Sequence, residues 1–227
     1  MLVTPRKQLR QAAQLTRAAV KHGPGSTRVA IDAKRRGAKQ KLLEFAALVA
    51  LVKKQPPTTV VEIGTLKGGT LWAWCRLAVD DAVIVSIDLP GGPFGGGYEE
   101  EATDRLRSYA QSSQAVHLIR GDSHDPATLE RVTQILGGRG IELLFIDADH
   151  TYNGVRRDFE LFSPLVRPGG LIAFHDVVLH DDRSCEVDRL WREVAPRYDH
   201  LEFVDHAHRH GNERSWGGIG VLVQSGS

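Results

Sequence analysis

The run Val60-Val61-Glu62-Ile63-Gly64-Thr65-Leu66-Lys67-Gly68-Gly69-Thr70 decides how the chain is read. Four residues with strand character are followed at once by three glycines, and a segment of helical length begins at Gly69. Glycines in that place let the chain turn tightly and let a ligand approach the backbone. The nucleotide fingerprint Gly-x-Gly-x-x-Gly is absent, because Leu66 stands where its second glycine belongs.

The same rhythm continues outward. Short apolar runs occur at Val60–Ile63, Val83–Ile87, Val116–Ile119, Leu143–Ile146 and Leu171–Phe174. Segments of helical length separate them, over about Gly69–Val79, Glu99–Ala110, Pro126–Leu136 and Thr151–Phe162. Strand–helix alternation predicts an α/β fold, a doubly wound and mostly parallel sheet covered on both faces. A helix near Glu186–Val194 and the runs Leu201–Val204 and Ile219–Val223 then predict a C-terminal antiparallel pair, for seven strands in all.

An acid follows every parallel strand: Glu62, Asp88, Asp122, Asp147 with Asp149, and Asp176 after His175. Any one of them is explained as a helix cap or a solvated strand end. Together they place repelling carboxylates where open α/β sheets bind ligands, which a packed core does not require. Phosphates prefer amide donors and cations. An acidic funnel with only Lys67 near the first turn therefore points to a phosphate-free, cationic ligand rich in hydroxyl and amino groups. S-adenosylmethionine has those properties, and Asp88, at the end of the second strand, is the expected ribose clamp.

Composition sets wide bounds on this reading. The chain has 227 residues, 41% of them hydrophobic and 25% charged, which is ample for a core without disulfide staples. Two cysteines exclude a disulfide framework. No apolar run reaches the ~20 residues of a membrane span, and no secretory signal is evident, so a cytoplasmic chain is expected. The net charge of +1 is a cancellation: residues 1–54 carry thirteen Lys or Arg against two acids, the remainder sixteen against twenty-six. We expect two parts, a basic helical extension at 1–54 acting as lid or dimer arm, and a ligand-binding domain at 55–227. Within the extension, helices are predicted at 5–22 and about Lys39–Lys54, separated by a break at His22–Ser26. The apolar Leu42–Val52 stretch should be buried against the main body or a partner, which makes it the candidate homodimer surface. Nucleic acid is not expected as a partner, since no aromatic residues are interleaved with the basic ones.

Thr58 to Val223 resembles class I S-adenosylmethionine-dependent methyltransferases, and more narrowly the small O-methyltransferases of the catechol, macrolide-sugar and cephalosporin-tailoring branch. The resemblance rests on Val-Glu62-Ile-Gly64-Thr-x-x-Gly68-Gly69-Thr70, Ser-Ile-Asp88, Arg-Gly121-Asp122-Ser123, Leu-Phe-Ile-Asp147-Ala-Asp-His150-x-Tyr152 and Pro168-Gly-Gly-x-Ile-Ala-Phe-His175-Asp176. Leu66 is a departure the branch shares. The resemblance implies a Rossmann-like fold in which Glu62, Gly64, Thr65 and Gly69 surround the methionine part of the cofactor. Asp88 bridges the ribose hydroxyls, and Asp122 and Ser123 contact adenine. Asp147 touches the cofactor side and, with His175 and Asp176, holds Mg2+ or another divalent metal. Sugar-modifying relatives often carry an acid at the position of His175, so nitrogen ligation is a departure that lowers the charge of the site.

The implied activity is methyl transfer to a hydroxylated small molecule, with His150 as the base, its ordinary pKa of ~6.5 suiting that task. A metal-independent methyltransferase on another acceptor and a cofactor-binding accessory protein without turnover are the alternatives. Four further features lack a clear role: His206-Ala-His208-Arg-His210, His180-Asp181-Asp182, the Gly91–Gly97 stretch and Trp216.

Overall fold

The structure is a computed structural model that describes residues 5–93, 96–111, 113–205 and 216–226. Strands β1 (Thr59–Ile63), β2 (Val83–Asp88), β3 (Ala115–Arg120), β4 (Ile141–Ile146), β5 (Val166–His175), β6 (Asp199–Phe203) and β7 (Ile219–Val223) form one sheet. Their order is β3-β2-β1-β4-β5-β7-β6. The neighbours from β3 through β5 are parallel, and β7 runs antiparallel to both β5 and β6. Strand order reverses between β1 and β4, so their carboxyl ends open the crevice in which such sheets bind ligands.

Both faces of the sheet are covered. Every residue of β1 is buried, and alternate side chains serve opposite layers. Val60, Ile84, Leu143 and Phe145 pack in one layer with Phe45 of α3 (Leu42–Val52) and Leu71 and Trp74 of α4 (Gly69–Leu77). Val61, Ile63, Val85 and Leu144 pack in the other. That layer includes Val132 of α6 (Pro126–Leu136), Phe162 of α7 (Tyr152–Phe162) and Trp191 of α8 (Val187–Val194). Turn chemistry fixes where these helices begin. Asp125 caps α6 by accepting from the Ala127 amide at 2.9 Å, with Pro126 in the first turn. Thr151 caps α7 by accepting from the Gly154 amide at 3.1 Å.

The N-terminal part differs most from expectation. Helix α1 (Pro5–His22) ends as predicted, but His22–Ser26 is a junction and not a long break: α2 (Pro24–Arg35) starts immediately. Pro24 occupies the first turn, where a missing N–H costs nothing, and Gly23 at φ 82° makes the corner. The second predicted helix is confined to α3. Its apolar residues, expected to be buried against the main body or a partner, are mostly buried within the chain's own core. The helix expected at Glu99–Ala110 is a single 3-10 turn at Glu100–Ala102 followed by the short α5 (Thr103–Arg107). Strand β5 begins five residues before the predicted run and includes Pro168-Gly-Gly, with a register shift against β4 between Ile141 and Leu143. No helix among the described residues is long and apolar enough to cross a membrane.

One carboxylate ties the extension to the far end of the chain. Glu44 of α3 is 1% exposed and accepts from the backbone amides of Asp205 and Gly218, each at 2.9 Å. Lys41 beside it donates to the Trp216 carbonyl at 2.6 Å and lies over the Trp216 ring.

Candidate active site

A cavity of about 390 Å3 lies at the carboxyl ends of β1, β2, β4 and β5. Gly64, at φ 99°, forms its floor, so close to β4 that an added Cβ would sit 2.0 Å from the Asp147 carbonyl oxygen. The Gly64 amide donates to Ile87 and the Asp147 amide to Ile63, both at 2.8 Å, joining three strand ends at one point. Gly69 also lines the cavity, but its lack of a side chain serves the extension: a Cβ there would be 2.2 Å from the Ala38 nitrogen.

Among the expected cofactor residues, Thr65, Asp88, Asp122, Ser123 and Asp147 line the cavity and Glu62 does not. Asp88 accepts from the Thr65 and Leu66 amides at 2.9 and 2.5 Å and from the Leu89 amide at 2.9 Å. Burial raises its pKa against those hydrogen bonds. The Asp122 side chain is half exposed and accepts from the His124 amide at 2.8 Å. Ser123 donates to buried Asp158 at 2.6 Å.

Glu62 points the other way, into the layer of α4. It is wholly buried and accepts from Trp74 Nε1 at 2.8 Å and from the Ser86 hydroxyl at 2.7 Å. Both carboxylate oxygens are thus engaged behind the cavity wall, and Glu62 supports the turn that lines the cavity from behind it. Burial pushes its pKa up to about 7, against hydrogen bonds from Thr70, Ser86 and Trp74. Between its ordinary value and 7 the native protein keeps a proton that the unfolded chain has released, so Glu62 lowers stability as pH rises through that range. In Glu62→Gln, Ser86 can turn its hydroxyl toward Thr65 and accept from the new amide. We expect the variant to gain up to about 3 kcal/mol over the parent between pH 5 and pH 8 in denaturant titrations. An equal stability difference at both pH values would show that the carboxyl group ionises freely.

The three residues implied as metal ligands come together. One ligand atom each from Asp147, His175 and Asp176 lies within 4.8 Å of the others. His175 is 4% exposed, and its Nδ1 is 3.1 Å from Asp147 Oδ1 and 3.1 Å from Asp176 Oδ2. Asp176 sits in a left-handed backbone conformation at φ 64° and accepts from the Gly217 amide at 2.9 Å. Left-handed backbone is costly for a residue other than glycine and persists where its surroundings demand it. His150 completes the cluster, with Nε2 3.5 Å from Asp147 Oδ1 and Nδ1 3.6 Å from Asp176 Oδ2.

The charges in this cluster support one another. Burial disfavours charge on His150, yet hydrogen bonds to Asp147 and Cys185 and the two nearby carboxylates raise it to about 10. His175 is likewise raised well above its ordinary value, the pull of Asp176 and Asp147 outweighing burial. Asp147 and Asp176 are lowered, the histidines overcoming desolvation. An imidazole at its ordinary pKa, as read from the sequence, is therefore not what the fold provides: between two carboxylates His150 is charged at neutral pH.

Three participants carried no decisive signal in the sequence. His180 Nε2 is 3.0 Å from Asp176 Oδ1, and Cys185 joins His150 and Asp176 in a second group within 4.8 Å. Gln40, from the link between α2 and α3, donates to Asp147 Oδ2 at 2.5 Å. Trp216 and His180 line the cavity, whereas His206, His208 and His210 lie outside the described residues.

A doubly wound sheet of this strand order, with an acidic crevice at the switch between β1 and β4, defines the fold of class I methyltransferases. Residues 61–177 match the family model described as "Methyltransferase domain", and the chain belongs to that family. Uncharacterized protein R132 of Acanthamoeba polyphaga mimivirus is 32% identical over 118 residues, which are 52% of this chain; the chain thus spans about half (51%) of that relative's length. Among solved structures, cofactor-bound Rv0187 from MTB is similar at TM-score 0.59 and 19% identity, the match covering 100% of both chains. The Bacillus cereus O-methyltransferase in complex with SAH is similar at TM-score 0.56 and 21% identity, over 88% of this chain and 91% of that one. At these identities the likeness is one of fold.

Proposed function

We propose that the protein transfers the methyl group of S-adenosylmethionine to a hydroxyl of a small molecule, with a divalent cation at the acceptor end of the cavity. The observation that carries this reading is the convergence of Asp88, Asp122 and Asp147 on one cavity at the strand ends. Such acceptors suit a cationic ligand bearing hydroxyl and amino groups, and repel a pyrophosphate. In this reading Asp88 receives the ribose hydroxyls, Asp122 and Ser123 the adenine, and the backbone around Gly64, Thr65 and Gly69 the methionine part. The neighbours solved with SAH or a cofactor, the Bacillus cereus O-methyltransferase and Rv0187, share the fold that builds this crevice.

The acceptor end fits a cation by its donor chemistry. Two carboxylates and an imidazole converge within 4.8 Å, a donor set that a divalent cation would take once the imidazole gave up its Nδ1 proton. Asp147, His175 and Asp176 would hold it. A cation bound there would lower the pKa of a hydroxyl that chelates it. The hydroxyl proton would pass to His150 in its neutral form. Methyl transfer is an in-line displacement from sulfonium sulfur, so most of the rate comes from holding sulfur, methyl and oxygen in line. Both cysteines are free and buried, in keeping with a reducing cytoplasm.

One observation favours a second reading. His175 already bridges the two carboxylates, which gives the cluster charge balance of its own and suits metal-independent transfer. Calorimetric titration with S-adenosylhomocysteine, followed by labelled methyl transfer to a panel of catechol, sugar and macrolide acceptors with EDTA or Mg2+, separates the cases. We expect cofactor binding, and transfer that EDTA abolishes and divalent ions restore. Transfer that survives EDTA, with His150→Ala nearly neutral, supports the second reading. Binding without transfer to any acceptor marks an accessory protein, and no binding removes all three.

A further inference from the structure

We infer that Gln40 binds the ammonium group of the cofactor, accepting its hydrogen bond on the side-chain carbonyl oxygen Oε1. The inference rests on the S-adenosylmethionine reading above and adds a residue from the basic extension to the site. Gln40 is 2% exposed and lines the cavity. Its backbone is held, since Lys34 Nζ donates to the Gln40 carbonyl at 2.6 Å and Ala38 is seated against Gly69. The orientation of its side-chain amide is fixed by chemistry. Its NH2 group donates to Asp147 Oδ2 at 2.5 Å, because a carboxylate beside an amide is met by the donor end.

That leaves Oε1 as a buried acceptor with no hydrogen-bond partner. Buried carbonyl groups are rarely left unmatched, because desolvation without a donor is costly. On a residue lining the cavity, the missing donor is most simply brought by the ligand. S-adenosylmethionine carries three kinds of donor. The ribose hydroxyls and the adenine amino group belong with Asp88 and with Asp122 and Ser123, at the ends of β2 and β3. Gln40 stands instead beside Asp147 at the end of β4, which leaves the ammonium group.

The position of Glu62 supports the same choice. It is the acid that the sequence pattern offers to the methionine part, yet its two oxygens are engaged with Trp74 and Ser86 and it does not line the cavity. The ammonium must find acceptors elsewhere. A neutral carbonyl beside the Asp147 carboxylate provides one without adding a further repelling charge.

The test is a calorimetric comparison of S-adenosylhomocysteine and its deaminated analogue, which lacks only the α-amino group, binding to the parent protein and to Gln40→Met. A lost hydrogen bond to a charged group predicts about tenfold or greater weakening of S-adenosylhomocysteine. The deaminated analogue should change by less than about twofold. Gln40→Asn, which retracts the carbonyl by one methylene and keeps a polar side chain, should give the same pattern. Ligand-free melting temperatures show whether either variant is merely unfolded. Unchanged affinity for S-adenosylhomocysteine, or equal weakening of both ligands, overturns the inference while leaving the cofactor reading intact. Failure of the parent protein to bind either ligand overturns both.

Discussion

Gly64→Ala should cost the protein about 4 kcal/mol and abolish cofactor binding. Two terms add. At φ 99° an alanine adopts a backbone conformation that costs roughly 1–2 kcal/mol. The new Cβ would also lie 2.0 Å from the Asp147 carbonyl oxygen and 2.6 Å from its carbon. Backbone cannot rotate out of the way as a side chain does, so β1 and β4 must separate at their carboxyl ends, overpacking that costs roughly 1–3 kcal/mol or more. For a chain of this size the sum lowers the melting temperature by roughly 8–16 °C. Gly138→Ala is the control. It has a similar φ of 82° but nothing within 4 Å of the added atom, so it should show only the conformational part. Equal losses in the two variants would mean that the approach of Gly64 to Asp147 is not what constrains this turn.

Asp147→Asn should weaken S-adenosylhomocysteine at least tenfold and remove the calorimetric signal of divalent-cation binding. The carboxylate accepts from Gln40 on one oxygen and faces His175 and His150 on the other. An asparagine has one oxygen and one NH2 group. With the oxygen toward Gln40, its NH2 meets the His175 Nδ1 proton; with the oxygen toward His175, the Gln40 amide must turn over and leave its own NH2 without an acceptor. Either the Gln40 amide or the buried imidazole of His175 then loses its acceptor. Removing one partner from a buried charged arrangement costs about 3 kcal/mol or more, and the loss should also appear as a lower denaturation midpoint. Parent-like affinity for both S-adenosylhomocysteine and Mg2+ would exclude Asp147 from the centre of the site.

The strands were legible because β-branched runs ended at glycines or acids, and that pattern has few other physical uses. The clustering of Asp147, His175 and Asp176 followed from it, since β4 and β5 are adjacent and end side by side. What escaped reading was direction and distance. Glu62 was visible as a strand-end acid, but its side shares a face with Val60 and so belongs to the layer of Trp74. Only knowledge of which layer holds α4 decides that. Gln40 reaches Asp147 across 107 residues of sequence, from a helix link without motif or periodicity. The α2 helix was hidden because Gly-Pro-Gly reads as a stop, although proline in a first turn is equally a start. The charge on His150 owes most to Asp147, three positions earlier in the same motif, and what the local pattern could not announce is the addition of Cys185 and Asp176 from beyond β5.

Glu44 makes the wall of the cavity answer to a helix far from it in sequence. The carboxylate accepts from the amides of Asp205 and Gly218, and Lys41 of the same segment donates to the carbonyl of Trp216, a residue that lines the cavity. Glu44 is hydrogen-bonded to none of Asp88, Asp147 or Asp176, yet a change in α3 would alter the shape in which they work. The entrance to the site is thus held by both halves of the chain at once, and its fit is open to adjustment from positions that bear no chemistry of their own.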